Sequence, residues 1–455
     1  MLGSRRFLFV VLALVAVLLA LALLKPRTVH EEQAGAVSTG LAIQAWRSEK
    51  GARVLYVHAP QLPMVDVRLV FDAGAARDGD RPGLARLTNL LLDQGAGEWD
   101  TNTVAERFED LGAVYGAGVA RDMATVSLRS LSDPAYLAPA LETLAAVVQH
   151  PRFEPAEFAR ERERTLVVLA DEKQQPDELA ARAFYRALYD GHPYASPVTG
   201  TEASVRALTV EAVRDFHRRY YVAANLVLVI VGDVDRARAE AMAAQLADGL
   251  PRGEAAPPLP PVPATRGGMQ RLEHPSSQVH ILMGQAGMKR GDPDYFALYV
   301  GNHILGGSGF SSRILTEVRE KRGLAYSAYS YFAPMRVAGP FVVGMQTKAG
   351  QAGEALKLLE ETVRRFVDEG PTAEELSHAQ KNITGGFPLR IDSNSDIAEY
   401  VAMIGFYGLP LDYLATFNAR VEAVTVEAIR DAFQRRVHPD RFVTVVVGPQ
   451  APPAK

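Results

Sequence analysis

VRALTVEAVRD at Val205–Asp215 returns as VEAVTVEAIRD at Val421–Asp431, 216 positions later (205 to 421). In the same register LVLVIVG, Leu226–Gly232, falls on FVTVVVG, Phe442–Gly448. One pair is amphipathic at the helical period and the other is a continuous apolar run, so a single compositional bias cannot produce both. They mark a tandem duplication rather than a solenoid. At nearly that separation an apolar helix predicted over Gly83–Gln94 falls opposite Tyr295–Leu305, and both run into glycine-rich turns. Between the copies lies Gly253–Gly268, with Pro257, Pro258, Pro260, Pro261 and Pro263, a composition that is extended and semi-rigid. The expected fold is α+β: two homologous α/β halves, residues 42–250 and 271–450, joined by a proline-rich linker at 251–270. Halves of this kind face each other across a chamber, a common home for ligands.

Composition narrows the function. The apolar share of 48% and charged share of 22% suit a globular chain with large cores. A net charge of -4, with no basic run interleaved with aromatics, argues against nucleic acid as a partner. The absence of cysteine excludes disulfides, zinc–thiolate sites, iron–sulfur clusters and a thiol nucleophile together. At the start, Arg5 and Arg6 precede Phe7–Leu24, eighteen uncharged residues, and Lys25-Pro26-Arg27 follows. That run is at the lower edge of a bilayer span and longer than most signal-peptide cores. Residues 1–27 are therefore expected to be one uncleaved N-terminal membrane anchor, the alternative being a removed signal, with residues 28–41 a polar spacer. In a bacterium this puts the body on the periplasmic side of the inner membrane.

The candidate chemistry sits in Gly306–Tyr329, GGSGFSSRILTEVREKRGLAYSAY. After a turn rich in glycine, Ser311–Lys321 has an apolar stripe (Ile314, Leu315, Val318) and a charged face, predicting a helix that Gly323 stops. Leu324–Phe332 then reads as a strand. Arg319 and Tyr326 are thus a long cation and a phenol carried by two rigid elements. Taken alone, Arg319 reads as a solvated helix-end cation and Tyr326 as a core aromatic. Arg121-Asp122 reads as a local ion pair of modest worth.

Several strings change that balance. GLARLTNLLLDQGAG, ERERTLVVLADE, HPYASPVTGT, YYVAANLVLVIVGDVD and REKRGLAYSAYS, spread over residues 40–450, resemble the insulinase/pitrilysin family of zinc peptidases. Mitochondrial processing peptidases and the core proteins of respiratory complex III belong to that family. The resemblance implies a processing-peptidase-like fold, each half an antiparallel sheet with helices. Catalytic members carry H-x-x-E-H on the helix that here is Gly83–Gln94. Two imidazoles four apart share a helix face and both meet zinc, while the glutamate activates the metal-bound water. The corresponding residues here are Arg86, Asn89 and Leu90, and the downstream glutamate position falls on Ala170, or on Val168 by the alternative count. A guanidinium has no lone pair to give, and Leu90 has no ligand atom. No two of the ten histidines lie three to five apart, and His192 before Pro193 is expected to be a structural loop residue. The resemblance therefore implies that this chain holds no zinc of its own.

What the resemblance keeps is the pair from the second half. In active relatives an arginine and a tyrosine reach the substrate backbone near the scissile bond, one fixing a carbonyl and the other polarising the reacting one. Arg319 and Tyr326 fall on those positions, seven residues apart. The expectation is a non-catalytic subunit of a heterodimeric zinc metallopeptidase, inactive alone, whose partner brings H-x-x-E-H and the zinc. Its substrate is a peptide or unfolded protein, with Leu324–Phe332 and Met123–Leu131 as candidate edges for strand addition. The alternative is a catalytically dead scaffold or peptide-binding protein of the same fold.

Overall fold

The computed structural model describes residues 41–449. The anchor expected over Phe7–Leu24 lies outside them. Among the described residues no helix is long and apolar enough to cross a membrane.

Two sheets form the frame. The first is built from β1 (Gln44–Arg47), β2 (Arg53–His58), β3 (Met64–Phe71), β4 (Val114–Val119), β5 (Ala124–Leu131) and β6 (Leu226–Gly232), in the order β1-β2-β6-β3-β5-β4. The second contains β7 (Gly268–Glu273), β8 (Gln278–Ala286), β9 (Ala325–Phe332), β10 (Pro340–Lys348) and β11 (Val443–Gly448), in the order β7-β11-β8-β10-β9. With β1 set aside, the two orders are the same. The repeated apolar runs are β6 and β11, each interior to its sheet. The repeated amphipathic segments are the helices Val210–Tyr220 and Val426–Arg436, whose first turns are capped alike by the hydroxyls of Thr209 and Thr425.

The sheets are not purely antiparallel as expected. β2 pairs with β6, and β7 with β11, in parallel. Each of these strands returns to its sheet only after a long helical excursion, and such a crossover lets it enter alongside a strand of the same direction.

Five helices position the site: α1 (Leu84–Leu90), α2 (Pro155–Glu172), α3 (Pro176–Leu188), α4 (Tyr295–Asn302) and α5 (Asn394–Tyr407). The halves exchange helices. From the first half, α3 lays Ala180, Phe184 and Leu188 on Val342, Val443, Val445 and Val447 of the second sheet. From the second half, α5 packs Val401 and Ile404 into the cluster that contains Leu55, Val229 and Val231 of the first sheet. Both faces of β6 are therefore covered, which is why its sequence is apolar without alternation. At Gly405 a Cβ would stand 2.6 Å from Val227 Cγ1 and 2.7 Å from Leu55 Cδ1, so α5 approaches the sheet as only glycine allows.

Residues 251–267 carry neither helix nor strand. Arg77 donates to the Pro257 carbonyl (2.7 Å) and the Ala286 amide donates to Thr265 Oγ1 (3.0 Å). His192, buried, accepts the Tyr194 amide at Nδ1 (3.1 Å), so its Nε2 carries the proton it donates to the Pro260 carbonyl at 3.0 Å. The strap is fixed by side chains of the first half and by a main-chain amide of the second.

Candidate functional site

The first group of residues stands on α1. Gly83 enters the helix at φ 94°, and the carboxylate of Asp78 accepts the amides of Gly83 (2.8 Å) and Ala85 (2.7 Å). Burial nevertheless pushes the Asp78 carboxyl up to about 7. Arg86 and Leu90 are half-buried, while Asn89 is 1% exposed. Asn89 Nδ2 donates to the Thr125 carbonyl of β5 (3.3 Å) and to the hydroxyl of Tyr221 (3.2 Å). The position of a water-activating glutamate is thus occupied by an amide that must donate, in a place where a carboxylate can only accept. We expect Asn89→Asp, nearly isosteric, to cost about 2 kcal/mol in urea denaturation because it leaves two acceptors facing each other. A cost under about 0.5 kcal/mol, the range of neutral surface changes, would remove Asn89 from this role.

Tyr221 carries the same wall one step further. Its ring stacks on His217 with centroids 4.9 Å apart, and His217 Nε2 donates to the Val148 carbonyl at 2.9 Å. Burial drives the imidazole from 6.5 down to about 4. Between those values the unfolded chain binds the proton that the folded chain refuses, so stability rises with pH across that interval. It is fully present above about 6.5 and lost as the pH falls through 4. Relative to His217→Gln, the wild-type unfolding free energy should drop by on the order of 3 kcal/mol between pH 7 and pH 4. Parallel pH profiles of the two proteins would contradict this.

On α2 the two downstream positions hold side chains with no ligand atom. Ala170 and Val168 lie on the exposed face. The buried carboxylate is Glu161, on the stripe with Phe158, Thr165 and Leu169, and its Oε1 accepts Arg164 Nη1 at 2.5 Å. Nine residues are two and a half helical turns, so Glu161 and Ala170 face opposite ways. Among the described residues no three His, Asp or Glu side chains are grouped so as to hold a metal ion. With arginine, asparagine and leucine in the ligand positions, the donor set does not fit zinc.

The second group is on the other half. The helix expected over Ser311–Lys321 is broken: a 3-10 turn (Gly309–Ser311), one α turn (Arg313–Leu315) and a π turn (Thr316–Glu320). Such π turns recur at functional sites because they rotate the residues that follow. Tyr326 is no core aromatic. It is 81% exposed. On the edge strand β9, Ser327 pairs with Gln346 and Ala325 with Thr347, leaving Tyr326 as the extra residue of a β-bulge. Thr347 Oγ1 fixes the bulge by donating to the Leu324 carbonyl at 2.5 Å. The Arg319 guanidinium sits 4.8 Å from the centre of the Tyr326 ring. The two residues picked out by sequence do meet, through a bulge and a π turn that sequence did not indicate.

Two further expectations are corrected. Met123–Leu131 is not an edge, since β5 lies between β3 and β4, and the edge beside it is β4. Nor do Arg121 and Asp122 pair. The Arg121 guanidinium stacks 3.5 Å over Tyr185, and its Nε donates to the Tyr194 carbonyl (3.0 Å). Asp122, 3% exposed, accepts the hydroxyls of Tyr194 (2.5 Å) and Tyr407 (3.0 Å) and the Arg336 amide (2.8 Å). One carboxylate of the first half is therefore held by two donors of the second.

A duplicated α+β frame with exchanged helices, a degenerate metal helix and an exposed Arg/Tyr pair defines a zinc-peptidase relative without its zinc ligands. The model of the insulinase peptidases, family M16, matches residues 53–202, and that of the M16 inactive domain matches residues 207–383. A solved peptidase M16 inactive domain from Pseudomonas fluorescens is 40% identical, with a TM-score of 0.87, over 90% of this chain and 98% of that one. An uncharacterised zinc protease of Mycobacterium leprae is 28% identical over 407 residues, 88% of this chain and 90% of the relative. A non-peptidase homologue of Helicobacter pylori is 25% identical over 382 residues, 83% of this chain and 87% of the relative. The chain belongs to the M16 insulinase family, as a non-catalytic member.

Proposed function

We propose that this chain is the zinc-free subunit of a two-chain metallopeptidase, lending Arg319 and Tyr326 to a homologous partner that carries H-x-x-E-H. The observation behind this reading is the exposure of Tyr326 on a bulged edge strand with Arg319 against its ring. An extended peptide adds to β9 through main-chain hydrogen bonds, which brings a carbonyl past the bulge. Tyr326 donates its hydroxyl proton in a hydrogen bond to the oxygen on which charge develops, and Arg319 holds the neighbouring carbonyl. The partner supplies the Lewis acid. Under this proposal the N-terminal segment anchors the body on the periplasmic side, and recovery of the mature chain in the membrane fraction with its N-terminus intact supports that part.

The test is reconstitution. The purified chain alone is expected to bind no stoichiometric zinc and to cleave no peptide, whereas mixing with the H-x-x-E-H homologue yields activity. Tight zinc and cleavage by the lone chain would overturn the proposal. Assembly without any gain in cleavage would leave the scaffold reading in its place.

A further inference from the structure

A cavity of about 660 Å³ lies between the second half's α4 and α5 and the first half's β3, β4 and β5, well within the range of small-ligand sites. Its walls include Tyr295, Tyr299, Tyr400 and Tyr407, with Arg290 and Arg390 among them. A third guanidinium, Arg68, lies 3.8 Å from Glu399, the one carboxylate lining the cavity, which is largely in water. Asp122 stands behind the wall, taken up by the Tyr407 hydroxyl. Arg390 Nη1 donates to the Tyr299 hydroxyl at 2.9 Å and the guanidinium also bonds the Tyr400 hydroxyl, which uses two of its five donors. Arg290 makes no ion pair among the described residues, and its buried Nε has no hydrogen-bond partner there. Its guanidinium is held by ring faces alone, 5.5 Å from the centre of Tyr407 and 5.9 Å from that of Tyr295. Burial raises Tyr299 and Tyr400, so these phenols stay protonated and remain donors, while the Tyr407 proton goes to Asp122.

We infer that this cavity binds a carboxylate carried on a bulky apolar or aromatic group, the C-terminal residue of a peptide being the ligand that fits it best. Planar guanidinium donors match a carboxylate fork, and the tyrosine and methionine walls take the side chain. A phosphate ligand is disfavoured, because neither lysine nor a glycine-rich loop lines the cavity. The same four residues Arg290, Tyr295, Tyr299 and Arg390 also line a cavity of about 440 Å³ that runs beside Tyr329–Pro334 of β9 and its exit, so a peptide has an extended approach. The site lies wholly in this chain and stands apart from the two-subunit reading.

Isothermal titration of the purified chain tests it with three probes: N-acetyl-Phe-Leu-Phe as the free acid, the same peptide as its C-terminal amide, and N-acetylphenylalanine. The acid peptide is expected to bind at least about 10-fold more tightly than the amide, the effect of one charge-assisted hydrogen bond. Arg290→Gln and Arg390→Gln are each expected to erase that difference while amide binding stays as it was. Because Arg390 is exposed, its variant reports even if Arg290→Gln fails to fold. N-acetylphenylalanine binding as tightly as the acid peptide would make a free aromatic acid the natural source; much weaker binding points to a peptide end. Equal affinity for acid and amide, or an undiminished preference in Arg390→Gln, overturns the inference.

Discussion

Tyr326→Phe in the reconstituted two-chain peptidase is expected to lower turnover about 10²-fold to 10³-fold, the loss seen when one oxyanion donor is removed. The substitution deletes a single oxygen from a ring that is already 81% exposed, so neither packing nor assembly has reason to change. The loss belongs in kcat, with KM nearly unmoved, because the hydroxyl gains its partner only as charge develops. Arg319→Ala behaves differently. On the two-chain proposal it removes a charged donor that would hold a ground-state carbonyl as well, so kcat/KM is expected to fall about 10-fold to 100-fold with much of the change in KM. It also takes away the cation against the Tyr326 ring, so the double variant should lose less than the sum of the two. Unchanged turnover in both single variants, with the complex intact by gel filtration, would mean that the pair is a relic on a scaffold.

How much of this arrangement is written locally differs from element to element. The duplication was legible because its two markers are local: a capped amphipathic helix after Thr209 or Thr425, and an apolar strand buried on both faces. The exchange of α3 and α5 was not. An amphipathic helix states that it has an apolar face and not which sheet receives it. The identity of the pair Arg319 and Tyr326 came from the family resemblance, and their proximity came from a π turn and a bulge that depend on pairing with β10. The amphipathic pattern of Ser311–Lys321 fits a regular helix well, and tertiary contacts override it. The pattern of α2 did show that Glu161 is buried and Ala170 exposed, since the helical period alone separates them. Asp122 was misread through adjacency: neighbouring residues leave the chain in different directions, so Arg121 and Asp122 serve different partners.

That misreading conceals a residue that ties the two halves together. Asp122 is buried, accepts three hydrogen bonds, and joins Tyr194 of the first half to Tyr407 and the Arg336 amide of the second. Arg336 adds a second link, reaching Asp72 at 3.3 Å while Asp72 also pairs with Arg77 at 2.8 Å. Burial, with the Asp122 carboxylate beside them, holds both phenols above the usual tyrosine range, so they donate at any working pH. Asp122→Ala leaves those donors desolvated and unpaired, a change of on the order of 3–5 kcal/mol for a broken buried charge network. Asp122→Asn keeps one acceptor oxygen and should cost about half as much, because its amide group confronts a phenol where a second acceptor stood. The hydrophobic clusters that join the halves survive either change, so the loss should appear first as local opening around Asp122, read as faster proteolysis of the strap at residues 251–267 at denaturant concentrations where both sheets persist. If Asp122→Ala unfolds within about 1 kcal/mol of the parent and its strap resists protease equally, the exchanged helices alone hold the halves together.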